Sequence, residues 1–163
     1  MEELNFRPYK SKEEFRKNYK LHDLAEERGK NLLTQWGVTF KSFGEDRRYQ
    51  SVWEKGDDKP DCIISYKGKE ALLDWKGKRS SQWIVNKRAA ESYIKWSKKL
   101  NIPLILAFFI FNDDLTFIAS RCIRITENTF AKEIIKAWDK NEVVQIIEEP
   151  IQFTKPNLLK LLF

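Results

Sequence analysis

From Ile102 to Phe111 the chain runs Ile-Pro-Leu-Ile-Leu-Ala-Phe-Phe-Ile-Phe, ten residues without a charged or hydrogen-bonding side chain. This is the longest apolar run in the sequence, and it falls well short of the roughly 20 residues needed to cross a bilayer. Closed by the turn formers Asn112-Asp113-Asp114, it reads as a buried strand and predicts a sheet inside the fold.

The segments around it alternate in type. Ser11 followed by Glu14 forms a capping box that opens a short helix to about Tyr19. A longer helix is expected from about Leu21 to Trp36, with Leu21, Leu24, Ala25, Leu32 and Leu33 on its apolar side and Gly37 ending it. Val38 to Phe43 reads as a strand, and residues 44–59 as a charged, turn-rich loop. Asp61 to Tyr66 and Lys69 to Lys76 read as two strands around a tight Lys67-Gly68 turn. A loop then a helix follow over Ser80 to Leu100, ending at Asn101. Beyond the apolar run, Leu115 to Ser120 and Cys122 to Ile125 are expected strands. Thr126 caps a helix to about Lys140, and Val143 to Ile147 is a short strand. This order predicts an α/β fold with a central mixed β-sheet flanked by helices. At 163 residues the chain suits one domain, with a core over about 21–120 and a C-terminal helix and strand extension over 121–163. The apolar tail from Pro156 to Phe163 is expected to pack on its own domain.

Bulk chemistry narrows the class. A 42% hydrophobic and 13% aromatic content excludes global disorder. Met1-Glu2-Glu3 does not open a signal peptide, and Cys62 and Cys122 match no zinc spacing. The expectation is a cytoplasmic protein with reduced core cysteines and no membrane association. Net charge is +6, which suits a polyanionic partner but is weak by itself. Its distribution says more: Lys76, Lys78, Arg79, Lys87, Arg88, Lys95, Lys98 and Lys99 are opposed in that stretch only by Glu91. Such a local excess can neutralise several phosphates.

The chemistry concentrates in the hairpin. If Lys67-Gly68 is a two-residue turn, Tyr66 pairs with Lys69 and Asp61 falls opposite Asp74. Lys76, two residues on, shares that face. Facing carboxylates repel, and burying them is costly unless a cation lies between them. Magnesium takes carboxylate oxygens and fills its shell with water and phosphate, so Asp61 and Asp74 are candidate ligands, with the backbone carbonyl of Trp75 a third. Lys76 is placed either to orient or deprotonate the attacking water or to offset charge on phosphorus. Asp-x-Lys alone is common in charged proteins; the shared face and the apolar Ala71-Leu72-Leu73 leading into Asp74 single this one out.

Pro60-Asp61, twelve residues, then Asp74-Trp75-Lys76 is the PD-(D/E)xK pattern of many nucleases. Within that superfamily the chain resembles the archaeal Holliday junction resolvases of the Hjc type. Ala25-Glu26-Glu27-Arg28 through Leu32-Leu33 to Gly37-Val38 is similar to the family's first helix. Lys87-Arg88 through Ile94-Lys-Trp-Ser-Lys-Lys-Leu to Ile102-Pro103-Leu-Ile-Leu-Ala is similar to its basic helix and following strand. The resemblance implies a restriction-endonuclease-like core, a homodimer, and Mg²⁺- or Mn²⁺-dependent cleavage of branched DNA. It also assigns Glu26 to metal or water placement, with Glu27 the second choice, and Gly29 is read as leaving room for close approach there. The Gly56-Asp57-Asp58-Lys59 stretch and the residues after about Cys122 depart from the family pattern, which bears on substrate more than on phosphodiester chemistry.

Other candidate DNA contacts are Arg47 and Arg48 in the charged loop, with Lys78, Arg79, Lys87 and Arg88 along the basic stretch. Trp83, and less so Trp53, could stack on unpaired bases. His22, the only histidine, has no second histidine to form a metal site and reads as structural. Two alternatives stand beside a junction-cutting endonuclease. One is the same chemistry on restriction-type, flap, single-stranded or RNA substrates. The other is a catalytically silent nucleic-acid-binding module.

Overall fold

The computed structural model describes the backbone of residues 12–43, 59–136 and 142–163, and the side chains of all of these except 12–19 and 132–136. The elements are α1 (Lys12–Trp36), β1 (Thr39–Ser42), β2 (Cys62–Tyr66), β3 (Lys69–Lys78), β4 (Ile84–Asn86), α2 (Lys87–Leu100), β5 (Leu104–Phe111), β6 (Phe117–Ile125), β7 (Phe130–Lys136), β8 (Glu142–Ile146), β9 (Ile151–Gln152) and α3 (Lys155–Leu162).

The apolar run becomes β5, buried along its whole length. It lies inside a six-stranded sheet of order β1-β2-β3-β5-β6-β9, pairing parallel with β3 and antiparallel with β6. Because strand side chains alternate, β5 feeds two cores. Ile105, Ala107, Phe109 and Phe111 meet Leu21, Ala25 and Leu33 of α1 and Leu158 and Leu162 of α3. Leu104, Leu106, Phe108 and Ile110 meet Ala89, Tyr93 and Trp96 of α2 and Ile146 of β8. Each such side chain contributes about 1.5–3 kcal/mol on burial, which makes β5 the spine of the fold. A second sheet of order β4-β8-β7 packs on the α2 side.

Local chemistry accounts for the hairpin. Lys67 and Gly68 both take positive φ, 49° and 82°, the pairing of angles that a two-residue turn matched to strand twist requires. Tyr66 accordingly pairs with Lys69, and the ladder runs to Cys62 opposite Leu73. Gly37 ends α1 at φ 75°, and Asn101 ends α2 at φ 54°.

Three expectations are corrected. The helices expected before and after residue 20 form one helix, Lys12–Trp36, since neither Pro nor Gly interrupts the chain between Lys12 and Arg28; the Ser11 half of the capping box lies outside the described residues. The helix expected after Thr126 is strand β7. Thr126 closes a turn instead: its hydroxyl accepts from the Asn128 amide at 3.2 Å, and its amide donates to Thr129 Oγ1 at 2.7 Å. Phe130 then pairs with Ile146 and Ile134 with Val144 of β8. The strands expected over 115–120 and 122–125 form one, β6. The tail packs on its own chain: Thr154 caps α3 by accepting from the Asn157 amide at 3.3 Å, and Leu158 and Leu162 are buried.

Candidate active site

Strand β3 changes character along its length. Ala71, Leu73 and Trp75 sink into the core under α1, while Leu72, Asp74 and Lys76 alternate toward α2. Asp74 is only 4% exposed. Its Oδ2 accepts from the Tyr93 hydroxyl of α2 at 2.8 Å and lies 2.9 Å from Lys76 Nζ. Lys76 Nζ also donates to Tyr93 Oη at 3.0 Å, which closes a triangle of acid, phenol and amine. Burial pushes the Asp74 carboxyl up to about 6; Lys76 opposes this and the Asp61 charge adds to it. For Lys76 burial disfavours the charge, yet the attraction of Asp74 outweighs it and holds the ammonium above its usual range.

Asp61 stands one residue before β2, just past the last ladder pair. Its Oδ2 accepts from the Trp75 amide at 2.8 Å and lies 3.3 Å from His22 Nε2. Burial pushes its pKa up, but the bonds from His22 and Trp75 overcome that and hold the carboxyl below its ordinary range. Asp61 and Asp74 are near enough to perturb one another, as the hairpin register requires.

Two glycines seat α1 on this strand. A Cβ on Gly77 would stand 2.2 Å from the Leu21 carbonyl oxygen, so the helix backbone touches β3 beside the site. A Cβ on Gly29 would stand 2.0 Å from the Trp75 ring. The room at Gly29 therefore admits the Trp75 indole, and the expectation that it serves Glu26 is corrected. Glu26 follows His22 by one turn on the same helix face and pairs with Lys30 at 3.1 Å. Ligand atoms of His22, Asp23 and Glu26 lie within 4.8 Å of one another, whereas Glu27 is exposed.

The candidate DNA contacts divide. Arg79 and Arg88 are exposed, and Lys87 pairs with Glu142 at 3.6 Å. Lys78 turns inward: its Nζ donates to the Ile84 carbonyl at 2.9 Å, and burial together with the Lys76 charge brings it down to about 8. Trp83 packs on Phe108 with ring centroids 5.1 Å apart, and its Nε1 donates to Glu149. With only 9% of its surface exposed, it offers no open ring face to a base, which corrects that expectation. Arg47, Arg48 and Trp53 lie outside the described residues.

Sequence reasoning missed two partners. His22 was set aside for lack of a second histidine, although its spacing of four from Glu26 was a signal. Tyr93 carried none, because only the docking of α2 on β3 brings it to Asp74.

No protein-family model matches the chain, and no curated protein matches it. Among solved structures it is similar to Hjc of Archaeoglobus fulgidus, described as a Holliday junction resolvase from an archaeal hyperthermophile. The TM-score is 0.55 at 10% identity, over 87% of this chain and 98% of that one. The chain shares the fold of that resolvase.

Within that resolvase-type fold the donor set suits a divalent cation. A buried carboxylate whose charge is disfavoured stands beside a second carboxylate, and a cation between them would relieve both burial and repulsion. Among the described residues no helix is long and apolar enough to cross a membrane.

Proposed function

We propose that this protein is a metal-dependent DNA endonuclease, with Asp61 and Asp74 holding a divalent cation together with the Trp75 carbonyl, and Lys76 and Glu26 completing the site. The observation that carries this reading is the buried Asp74 with Lys76 Nζ at 2.9 Å and Asp61 beside it, on a resolvase-type fold. A divalent cation held there would make a water more acidic and set positive charge against the phosphate. Lys76, held by Asp74 and Tyr93, orients that water and offsets the charge that develops on phosphorus. Tyr93 keeps the lysine and the aspartate in register, and Glu26 acts from α1 on water or metal. The water oxygen bonds to phosphorus and gives up a proton to solvent, the bond to the leaving sugar oxygen breaks, and that oxygen takes a proton from water.

Branched DNA is the proposed substrate, cut by a homodimer, since two symmetric incisions need two sites. Arg79, Arg88 and Lys87 would follow the backbone. The experiment is cleavage of an end-labelled four-way junction and a matched duplex with Mg²⁺ or Mn²⁺, with EDTA, and with Asp74→Ala. Paired cuts in the junction alone, lost in both controls, support the whole reading. Cuts in the duplex retain the site and discard the junction preference. No metal-dependent cutting, with tight salt-sensitive binding, favours a silent binding module.

A further inference from the structure

His22 is the single histidine of the chain, and its position is over-determined. Gly77 brings the carbonyl of Leu21, the residue before it, directly onto β3, and Gly29 seats the next turns of α1 over Trp75. The ring is thereby delivered to Asp61, with Nε2 at 3.3 Å from Oδ2. Donors at adjacent corners of an octahedral ion lie about 3 Å apart when each is about 2.1 Å from the metal. The observed separation therefore suits two ligands of one cation as well as it suits a hydrogen bond. The other ring nitrogen, Nδ1, faces Asp23 Oδ1 at 3.8 Å. At that distance the two are an ion pair when the ring is charged, and not the hydrogen bond that orients a metal-bound imidazole. Glu26, one helical turn on, has a carboxylate oxygen within 4.8 Å of donor atoms of His22 and Asp23, a set that does not include Asp61 or Asp74.

We infer that His22 is a nitrogen ligand of the cation held by Asp61 and Asp74, and that it biases the site toward Mn²⁺ over Mg²⁺. The inference rests on the proposed reading of those two aspartates. Its chemical basis is donor preference: Mg²⁺ favours oxygen and keeps its waters, while imidazole suits transition metals. A histidine that merely orients Asp61 would act equally on both metals.

The test uses the full chain, free of any histidine tag, titrated with Mn²⁺ and with Mg²⁺ by calorimetry. The Mn²⁺ complex is then examined by electron spin-echo spectroscopy. An imidazole ¹⁴N coupling to Mn²⁺ is expected, and with one histidine in the chain it identifies His22 without a variant. His22→Gln is expected to weaken Mn²⁺ binding by about 10-fold or more and Mg²⁺ binding by less than about threefold. A Mn²⁺ complex that Asp74→Ala abolishes, yet which shows no nitrogen coupling, overturns the inference and leaves the nuclease site standing. Equal losses of the two metals in His22→Gln also overturn it and make His22 a positioning residue. No Mn²⁺ binding, or binding untouched by both Asp61→Ala and Asp74→Ala, overturns the inference and the site together.

Discussion

Mild acid should stabilise the metal-free protein, and Asp74 is the reason. Its carboxyl moves from an ordinary 3.8 to about 6 because the folded chain buries it beside Asp61. The folded state thus binds the proton more tightly than the unfolded state, so protonation favours folding. This contribution is fully present below the unfolded value and is lost as pH rises through the folded one. The interval from 3.8 to about 6, at about 1.4 kcal/mol for each pH unit, sets a full span of about 3 kcal/mol. Between pH 8 and pH 5 about 1.4 kcal/mol of it should be visible.

The assay is urea unfolding in EDTA at pH 8, 6.5 and 5, for the wild type and for Asp74→Asn. Taking the difference between the two chains removes groups they share, including His22, whose raised value has the same sign. Asp61 is held low, so its stability is lost only in stronger acid, below this window. The wild type should gain on the variant by about 1.4 kcal/mol on going from pH 8 to pH 5. Parallel pH profiles, or a wild type that loses ground to the variant, would refute the account of a carboxylate held against its preference.

Three further outcomes follow from packing. Gly77→Ala drives a methyl group against the Leu21 carbonyl; it should cost about 1–3 kcal/mol in denaturant unfolding and weaken metal binding as α1 retreats, and unchanged stability would contradict the close fit. Tyr93→Phe removes the hydroxyl that bonds Asp74 and Lys76. Cleavage should fall about 10- to 100-fold while the fold persists by circular dichroism, and full activity would show that the triangle is dispensable. Trp83→Ala should destabilise the chain by about 3–5 kcal/mol and, well below its melting point, leave DNA affinity within about twofold; a selective loss of binding would restore the base-stacking role that burial argues against.

What could be read from the sequence was whatever local chemistry decides. The apolar run had to be an interior strand, and Lys67-Gly68 set a register that the ladder from Tyr66 to Cys62 follows. Gly37 and Asn101 ended helices by their left-handed conformation. The failures lie where tertiary contact decides. Thr126 can cap a helix or close a turn with equal local logic, and pairing with β8 selects the turn and strand. Trp83 looked like a surface aromatic beside a metal motif until Phe108 and the second sheet enclosed it. His22 and Tyr93 reach the aspartates from two helices on opposite sides of the sheet, and no spacing along the chain encodes that meeting.

Trp75 joins the two halves of the molecule in one residue. Its amide fixes the Asp61 carboxylate, while its indole, fully buried, rests against Gly29, Phe109 and Phe153 on the other face of the strand. The placing of the Asp61 carboxylate and the docking of the tail are therefore linked through one residue, and linkage is reciprocal. A change that loosens Phe153 or α3 would act on the carboxylate through this residue, and a cation at the proposed site would in turn steady α3. The oily side of β3 is in this sense an adjustable mount for the reactive side, and variation far from any phosphate can tune the chemistry without touching a charged group.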